Sequence, residues 1–297
     1  MTPGGGDQHE RAQVLRPGTA VDRIRIGRAE PPGALASAVD YLWWVEWNTP
    51  EPYVQDVVPR PVVHLAGEFH DGESRMLAHG VPTSRFQRKL TGLGRTVAVA
   101  FRPGGFRHFV SVDMADLTGR VVPVDRLVGT DDREVAAGLL DLTTTPEQAV
   151  ALLSDWLMAI DHEPDPIADQ IAGLVEHAER EPTVRRAEQL AGLAGVSLRT
   201  LQRRFRVYVG VSPKWVVRRY RILDVLDRVH GHHDVDWAAL AGELGYADQS
   251  HLIRDFTALV GEPPARYRAG DRDAPSSATQ PRCLAELSSG PGPGQAG

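Results

Sequence analysis

The spacing of apolar residues divides the chain into a β-rich first part and a helical second part. Between about residues 20 and 112, apolar and polar residues alternate over short segments separated by Gly and Pro, which is the pattern of half-buried strands. In the most regular segment, 41–47, Trp43 and Trp47 share one face and Trp44 lies on the other. Many short strands of this kind predict a β-barrel or sandwich.

From about residue 131, apolar residues recur every three or four positions, which predicts helices over 132–142, 146–160 and 166–180 and helical structure from 183 to 268. Both ends of the chain are rich in Gly and Pro, have no such period, and are predicted to be disordered. The predicted organisation is a disordered start (1–18), a β-rich domain (19–130), a helical extension (131–181), a second helical domain (182–270) and a disordered tail (271–297).

One pattern of residues occurs twice in the second helical domain. The offset between the copies is 50 residues up to the first Gly and 51 after it, so a single extra residue in the turn accounts for the difference. A repeat this regular predicts two copies of one structural unit. The matching residues are Leu190, Ala191, Gly195, Leu201, Phe205, Gly210 and Pro213 in the first copy and Leu240, Ala241, Gly245, Leu252, Phe256, Gly261 and Pro264 in the second.

Each copy predicts a helix, a tight Gly turn and a second helix, which we name the reader helix. Ser197 and Asp248 are placed to cap the two reader helices, and Asp236 to cap the helix before the second turn. Helical spacing directs the apolar residues inward and leaves a polar outer face, as in a helix-turn-helix that reads DNA. The outer faces carry Arg199, Gln202, Arg203 and Arg206 in the first unit and Gln249, Ser250, His251 and Arg254 in the second. Arg and Gln side chains match the hydrogen-bonding edges of guanine and adenine in the major groove.

Pro213 begins a further helix, roughly 214–229, which we name the linker helix because it lies between the two units. It is predicted to hold the reader helices near one DNA turn apart, ~34 Å, so that they enter successive major grooves. Arg218, Arg219 and Arg221 on this helix are candidate phosphate contacts.

Charge is unevenly distributed along the chain, whose overall net charge is −6. Residues 1–181 carry a net charge of −10, whereas residues 182–268 carry +5. The repeated stretch is thus the basic part of an acidic protein, as contact with nucleic acid requires.

These motifs together resemble the DNA-binding domain of AraC/XylS-type bacterial transcription regulators. The resemblance covers roughly 85 residues and implies an all-α bundle that binds promoter DNA with both units. The resemblance implies base-reading positions at Arg199, Gln202 and Arg203 in the first unit and at Gln249, Ser250, His251 and Arg254 in the second, whereas Arg206 is a further candidate DNA contact. The richer Arg content of the first reader helix predicts tighter base recognition there than by the second. The residues that carry the resemblance include Leu201-Gln202-Arg203-Arg204-Phe205, Gly210-Val211-Ser212-Pro213, Gln249-Ser250-His251-Leu252 and Pro264-Ala265-Arg266-Tyr267-Arg268.

The β-rich domain resembles, more loosely, the cupin-like domains that accompany this DNA-binding module, mainly in the run Val-Ala-Val-Ala-Phe-Arg-Pro-Gly-Gly at 97–105. The fold class predicted for the whole chain is α+β: a cupin-like barrel with a helical extension, then an all-α double helix-turn-helix bundle. The resemblance implies a sensor role for the β-rich domain. Trp43, Trp44 and Trp47 are candidate pocket residues, with a place in the core as the alternative. Arg102 is a candidate anion contact, with a structural turn as the alternative.

The sequence favours a regulator over an enzyme. His64, His70, His79 and His108 are scattered without the spacing of metal ligands, so we predict no metal and no cofactor. Two alternatives are a metal-dependent cupin-type enzyme that carries a DNA-binding domain and a DNA-repair protein that uses a reactive cysteine. The single cysteine, Cys283, lies in the tail, which argues against the second.

The expected partner is double-stranded promoter DNA, with RNA polymerase, a small-molecule effector and a second copy of the chain as further candidates. No apolar run approaches the ~20 residues of a membrane span, and the first residues have no apolar signal segment. We therefore expect a cytoplasmic protein that associates with the nucleoid and not with a membrane.

Overall fold

The computed structural model describes residues 14–15, 23–70, 72–231 and 235–267. The predicted disordered tail, Cys283 and Arg268 lie outside the described residues, as does the predicted disordered start apart from residues 14 and 15. Those two residues form a short strand. In the part of the chain that is described, no helix is long and apolar enough to span a membrane.

The first part of the chain forms one antiparallel sheet of seven strands. In hydrogen-bonded order the strands run β1-β3-β6-β4-β5-β7, and β2 also pairs with β3. The described strands do not close into a ring, so the prediction of a β-rich domain is confirmed, whereas the barrel is not. The strands are β1 (Val14–Leu15), β2 (Ile24–Ala29), β3 (Val39–Val57), β4 (His64–His70), β5 (Glu73–His79), β6 (Phe86–Phe101) and β7 (Val121–Pro123).

Strands β3 and β6 form a long pair within the sheet. Two tryptophans of β3 pack tightly on glycines of the neighbouring strands, Trp44 on Gly27 of β2 and Trp47 on Gly94 of β6. A Cβ atom on Gly27 would lie 2.3 Å from Trp44 Cε2, and one on Gly94 would lie 2.4 Å from Trp47 Cζ2. Only Gly leaves room for an indole ring at these two positions, because any other side chain would overlap it.

Nine α-helices are described beyond or between these strands. They are α1 (Asp125–Val128), α2 (Arg133–Leu140), α3 (Pro146–Ala159), α4 (Pro166–Arg180), α5 (Ala187–Leu193), α6 (Leu198–Tyr208), α7 (Pro213–Gly231), α8 (Trp237–Glu243) and α9 (Gln249–Val260). Short 3-10 segments occur at Gly33–Leu35, Gly105–His108 and Met114–Asp116. The predicted start of α3 is confirmed, because the Thr145 side chain accepts from the backbone N–H of Gln148 and Pro146 follows.

The predicted helical extension is shared between two hydrophobic cores. Leu139 of α2 and Leu153 of α3 are fully buried against the face of the sheet that carries Leu42. In contrast, Ala168 and Ile171 of α4 belong to the core of the C-terminal helices. The extension is therefore not a separate layer, since α2 and α3 complete the first domain and α4 the second.

The C-terminal core surrounds the linker helix α7. Leu223 and Leu226 of this helix are fully buried, and Phe205 and Phe256 of the two reader helices belong to the same cluster. Two residues of the β-rich domain, Val58 and Val81, also belong to it. The two domains thus share continuous apolar packing.

A matched pair of leucines tests the packing of α2 on the sheet. Leu139→Ala removes a fully buried side chain and should lower the free energy of unfolding by about 2–5 kcal/mol, because it leaves a cavity. Leu142→Ala, at a side chain that is 41% exposed, should change it by less than about 1 kcal/mol. Urea unfolding of the full chain measures both, and equal effects would show that α2 is not anchored as described.

Candidate nucleic-acid interface

The first unit forms a helix-turn-helix, as predicted. Helix α5 ends at Leu193, and Gly195 in the turn that follows has a positive φ of 63°, which allows the chain to reverse. The Ser197 side chain then accepts a hydrogen bond of 3.2 Å from the backbone N–H of Thr200 and so caps α6, the first reader helix.

Polar side chains of α6 form one continuous surface. Leu201 and Phe205 are fully buried, which fixes the rotation of the helix about its axis. As a result the opposite side faces outward, and five of its side chains border a shallow, open depression that we name the groove. Four of them are the predicted contact residues, and the fifth is Thr200. The groove residues are Arg199, Thr200, Gln202, Arg203 and Arg206.

The second unit repeats this geometry. The Asp236 side chain accepts two backbone hydrogen bonds at 3.0 Å and caps α8. The turn Gly245 has a φ of 71°, and Asp248 accepts a bond of 2.7 Å from the N–H of His251 to cap α9, the second reader helix. The cap positions predicted from the repeat are therefore confirmed. Gln249, Ser250 and Arg254 are exposed, and His251 is partly exposed.

Asp255 ties the outer face of the second reader helix to the linker helix. Its carboxylate lies 3.5 Å from the Arg218 guanidinium and 3.8 Å from His251 Nε2. The ring of Tyr246 meets the His251 imidazole edge-on, with centroids 5.2 Å apart. Burial raises the pKa of Tyr246, so its hydroxyl stays protonated, and the Arg221 guanidinium stacks over its ring at 3.7 Å. Two predicted contacts, Arg218 and His251, are thus held by one carboxylate.

The three arginines of the linker helix that were predicted to contact phosphate do not share a free surface. Arg218 keeps 30% of its side chain exposed, whereas Arg221 packs over Tyr246. The expectation that Arg219 contacts phosphate is wrong for this arrangement, because its side chain is fully buried. Helix α7 is covered by both units and by the β-rich domain. The apolar spacing along a helix does not show that a distant domain covers it.

The three tryptophans do not line a common pocket. Trp43 and Trp47 share one face of β3, but Trp44 lies on the other and packs against the core, as strand alternation requires. Trp47 Nε1 donates to the Thr91 carbonyl at 3.3 Å, and Trp43 Nε1 lies 3.4 Å from His64 Nδ1. The pocket of three tryptophans is therefore wrong, and Trp43 and His64 lie together on the opposite face from Trp44.

Arg102 is engaged within the structure. Its guanidinium donates to Glu176 Oε1 of α4 at 2.8 Å. This ion pair joins the turn after β6 to α4, so the structural alternative describes Arg102 better than an anion site does.

Sequence reasoning missed a polar cluster on the Trp43 face of the sheet. Glu68 Oε1 lies 3.1 Å from His79 Nε2 and 2.6 Å from Arg88 Nη2. Burial opposes ionisation of Glu68, but His79 and Arg88 outweigh it and lower the pKa of this carboxyl. Alternation along β4 places residues 64 and 68 on one face, and that signal was available in the sequence.

His64 stands beside this cluster in an environment that disfavours its charged form. Burial and the positive charges of Arg60 and His79 lower its pKa to about 3. Over the described ranges, no group of three or more His, Cys, Asp and Glu side chains is arranged to hold a metal ion.

Comparison with known proteins bears on both domains. Residues 27–123 match the model of a domain of unknown function (DUF6597), and residues 190–270 match the model of a helix-turn-helix domain. The chain is 32% identical over 123 residues to a Streptomyces lividans protein named as an AraC-like transcription regulator, and 31% identical to a Streptomyces antibioticus protein of the same name. Each alignment covers 41% of this chain and only 38% of the relative.

Solved structures with some likeness include ToxT from Vibrio cholerae, with 10% identity, a TM-score of 0.37, and coverage of 83% of this chain and 97% of ToxT. Another is the xylose-binding transcription activator XylR, with 16% identity, a TM-score of 0.27, and coverage of 42% and 38%. The match over residues 190–270 confirms the predicted helix-turn-helix domain, and both relatives are named as AraC-like transcription regulators.

The pKa of His64 leads to an expectation about acid stability. The folded chain keeps His64 neutral to about pH 3, whereas the unfolded chain binds a proton near pH 6.5, so the unfolded state holds more protons in between. The stability contributed by the neutral imidazole is present above pH 6.5 and is lost as the pH falls, by at most about 1.4 kcal/mol per pH unit. His64→Gln should flatten urea-derived stability between pH 6.5 and 4 relative to the parent, and an unchanged slope would contradict the burial of His64.

Proposed function

We propose that the chain is a regulator of transcription that binds a specific promoter site in double-stranded DNA. The observation that carries this proposal is the groove on the first reader helix, whose five lining residues all have side chains that donate hydrogen bonds. The groove lies on a capped helix whose rotation is fixed by a buried Leu and Phe. Its positive side chains would contribute salt-dependent affinity, and its Arg and Gln groups would read base edges.

The second reader helix contributes a less positive surface to the proposed interface. Gln249 and Ser250 are exposed polar groups at its first turn, and Arg254 is its exposed cation. Arg218 extends the surface from the linker helix as a phosphate contact, and Asp255 positions it. We therefore assign the tighter base recognition to the first reader helix.

A pair of adjacent arginines tests this assignment. Arg203 lies in the groove, whereas Arg204 lies outside it and donates to Gln170 Oε1 at 2.6 Å. Arg203→Ala should weaken binding to the best site selected from random DNA by about 1–3 kcal/mol and relax preference at one base position. Arg204→Ala removes the same charge and should leave the preferred sequence unchanged. Equal sequence profiles for Arg203→Ala and the parent would refute base reading by the first unit.

The β-rich domain is proposed to sense a small polar effector on the face that carries Trp43 and His64. Glu68 is ionised on this face and lies close to two cationic or proton-donating groups. The Trp43 ring lies on the same face as the acceptor Glu68 and the donors His79 and Arg88, and this combination suits a ligand with hydroxyl or amine groups.

Thermal shift of the full chain over a panel of polyhydroxylated and amino metabolites tests the sensor proposal. A ligand that binds the folded state should raise the melting temperature of the parent in proportion to the logarithm of its concentration. Glu68→Gln should reduce that rise, whereas Glu73→Gln, at a side chain that is 51% exposed, should not. A ligand that stabilises the parent and Glu68→Gln equally binds elsewhere.

The proposal extends to partners and location. Leu152 and Met158 on α3 are exposed apolar side chains, at 39% and 38%, and offer a surface for a second copy. Sedimentation of the full chain decides this, since a monomer at high concentration would exclude the dimer.

RNA polymerase is a further proposed partner at the promoter. A protein with this function would act in the cytoplasm at the nucleoid, and we propose no catalytic activity for it.

A further inference from the structure

The β-rich domain and α4 contact the first unit through a set of directional hydrogen bonds. Thr118 Oγ1 donates to the carbonyl of Gly210, in the turn after the first reader helix, at 2.8 Å. Tyr208 at the end of that helix donates to Asp165 Oδ2 of the α4 cap at 2.7 Å. A Cβ on Gly210 would lie 2.7 Å from the carbonyl oxygen of Met114, so the two segments touch at backbone level. The first unit is therefore docked on the β-rich domain through residues 114–118, whereas the Tyr208–Asp165 bond lies within the C-terminal domain.

One acidic residue of this docking surface reaches the DNA-facing groove. Asp113 Oδ2 lies 3.9 Å from Nε of Arg206, which lines the groove. The acid precedes the 3-10 segment Met114–Asp116 and comes from the part of the chain with a net charge of −10. A carboxylate at this place competes with a DNA phosphate for the same guanidinium and repels the DNA backbone.

The same docking buries a charge that is poorly satisfied. Arg219 of the linker helix is fully buried, and its Nε donates to the carbonyl of Pro59 between β3 and β4. Among the described residues, its two terminal nitrogens have no hydrogen-bond partner. Burial lowers the pKa of Arg219, and the charge of Glu179, which accepts from Tyr220 at 3.3 Å, offsets this only in part. The guanidinium also lies over the Tyr220 ring, 4.8 Å from its centroid.

Apolar packing and this buried charge act in opposite directions. Val58 and Val81 bury apolar surface against the C-terminal core and favour docking. The guanidinium of Arg219 disfavours it, because its two terminal nitrogens lose water on burial without gaining a hydrogen bond among the described residues. They regain water when this contact between the two domains, which we name the seam, opens. The apolar packing therefore favours the docked arrangement, and the buried charge lowers the free energy needed to open it.

We propose that the docked arrangement is an autoinhibited state of the regulator, in which Asp113 screens the first reader helix and Arg219 keeps the seam easy to open. This inference rests on the proposed function, because it concerns access of DNA to the same groove. Opening the seam removes the acidic segment from Arg206 and frees the groove for phosphate and base contacts.

In the full chain, Asp113→Asn should tighten DNA binding and Arg219→Met should weaken it. Asp113→Asn should tighten binding to the selected site by about two- to fivefold, in keeping with the strength of one exposed ion pair. Asp116→Asn removes the same charge three residues away, at an exposed side chain outside the groove, and should have less than half that effect on a logarithmic scale. Equal effects of the two variants, or no effect of Asp113→Asn, would overturn the proposal.

Arg219→Met should strengthen docking, because an apolar side chain of similar length replaces a buried charge whose two terminal nitrogens have no hydrogen-bond partner among the described residues. The melting temperature should rise by about 2–4 °C, and DNA binding should weaken while the slope of log K against log salt stays unchanged. Lys214→Met on the same helix, at an exposed position, should not raise the melting temperature.

The outcomes separate the proposal that the first reader helix reads DNA from the proposal that the docked arrangement is autoinhibited. A fall in the melting temperature of Arg219→Met would show that the seam depends on the charge, and would overturn the autoinhibited state. If Arg203→Ala alters the preferred sequence while Asp113→Asn does not alter affinity, DNA reading stands and autoinhibition fails. If Arg203→Ala leaves the sequence preference intact, the proposed function itself fails.

Discussion

The burial of the linker helix α7 is the constraint on which the rest of the structure depends. Both reader helices, α4 and two valines of the β-rich domain pack into the core around it. Because apolar side chains cover this helix on several sides, each reader helix can rotate or slide only by disrupting a shared core. That packing holds two small helix-turn-helix units, neither of which buries much surface alone, at a fixed spacing and orientation relative to each other.

The repeat made the C-terminal domain predictable from sequence. Gly195 and Gly245 occupy the two turns with positive φ, and Ser197 and Asp248 cap the helices that follow. These are local signals that depend on backbone conformation and hydrogen bonding over a few residues, so a single sequence contains them. Alternation likewise predicted that Trp44 opposes Trp43, although the pocket hypothesis overlooked that consequence.

Contacts between distant segments could not be predicted in this way. Arg219 lies beside Arg218 and Arg221 in sequence, and nothing in the helical pattern separates it from them. Its burial depends on Pro59, which is 160 residues away along the chain. The division of the predicted extension has the same origin, because α3 and α4 are similar amphipathic helices that pack in different cores. Local patterns reveal that a helix has an apolar face but do not identify its partner.

Two reader helices, held at a fixed spacing by one buried helix, are proposed to enter successive major grooves on one side of DNA. Hydroxyl-radical footprinting of the full chain on its selected site tests this most directly. Two protected patches are expected on one face of the duplex, with centres about one helical turn, or 10–10.5 base pairs, apart. A single patch, or protection spread evenly around the duplex, would contradict it.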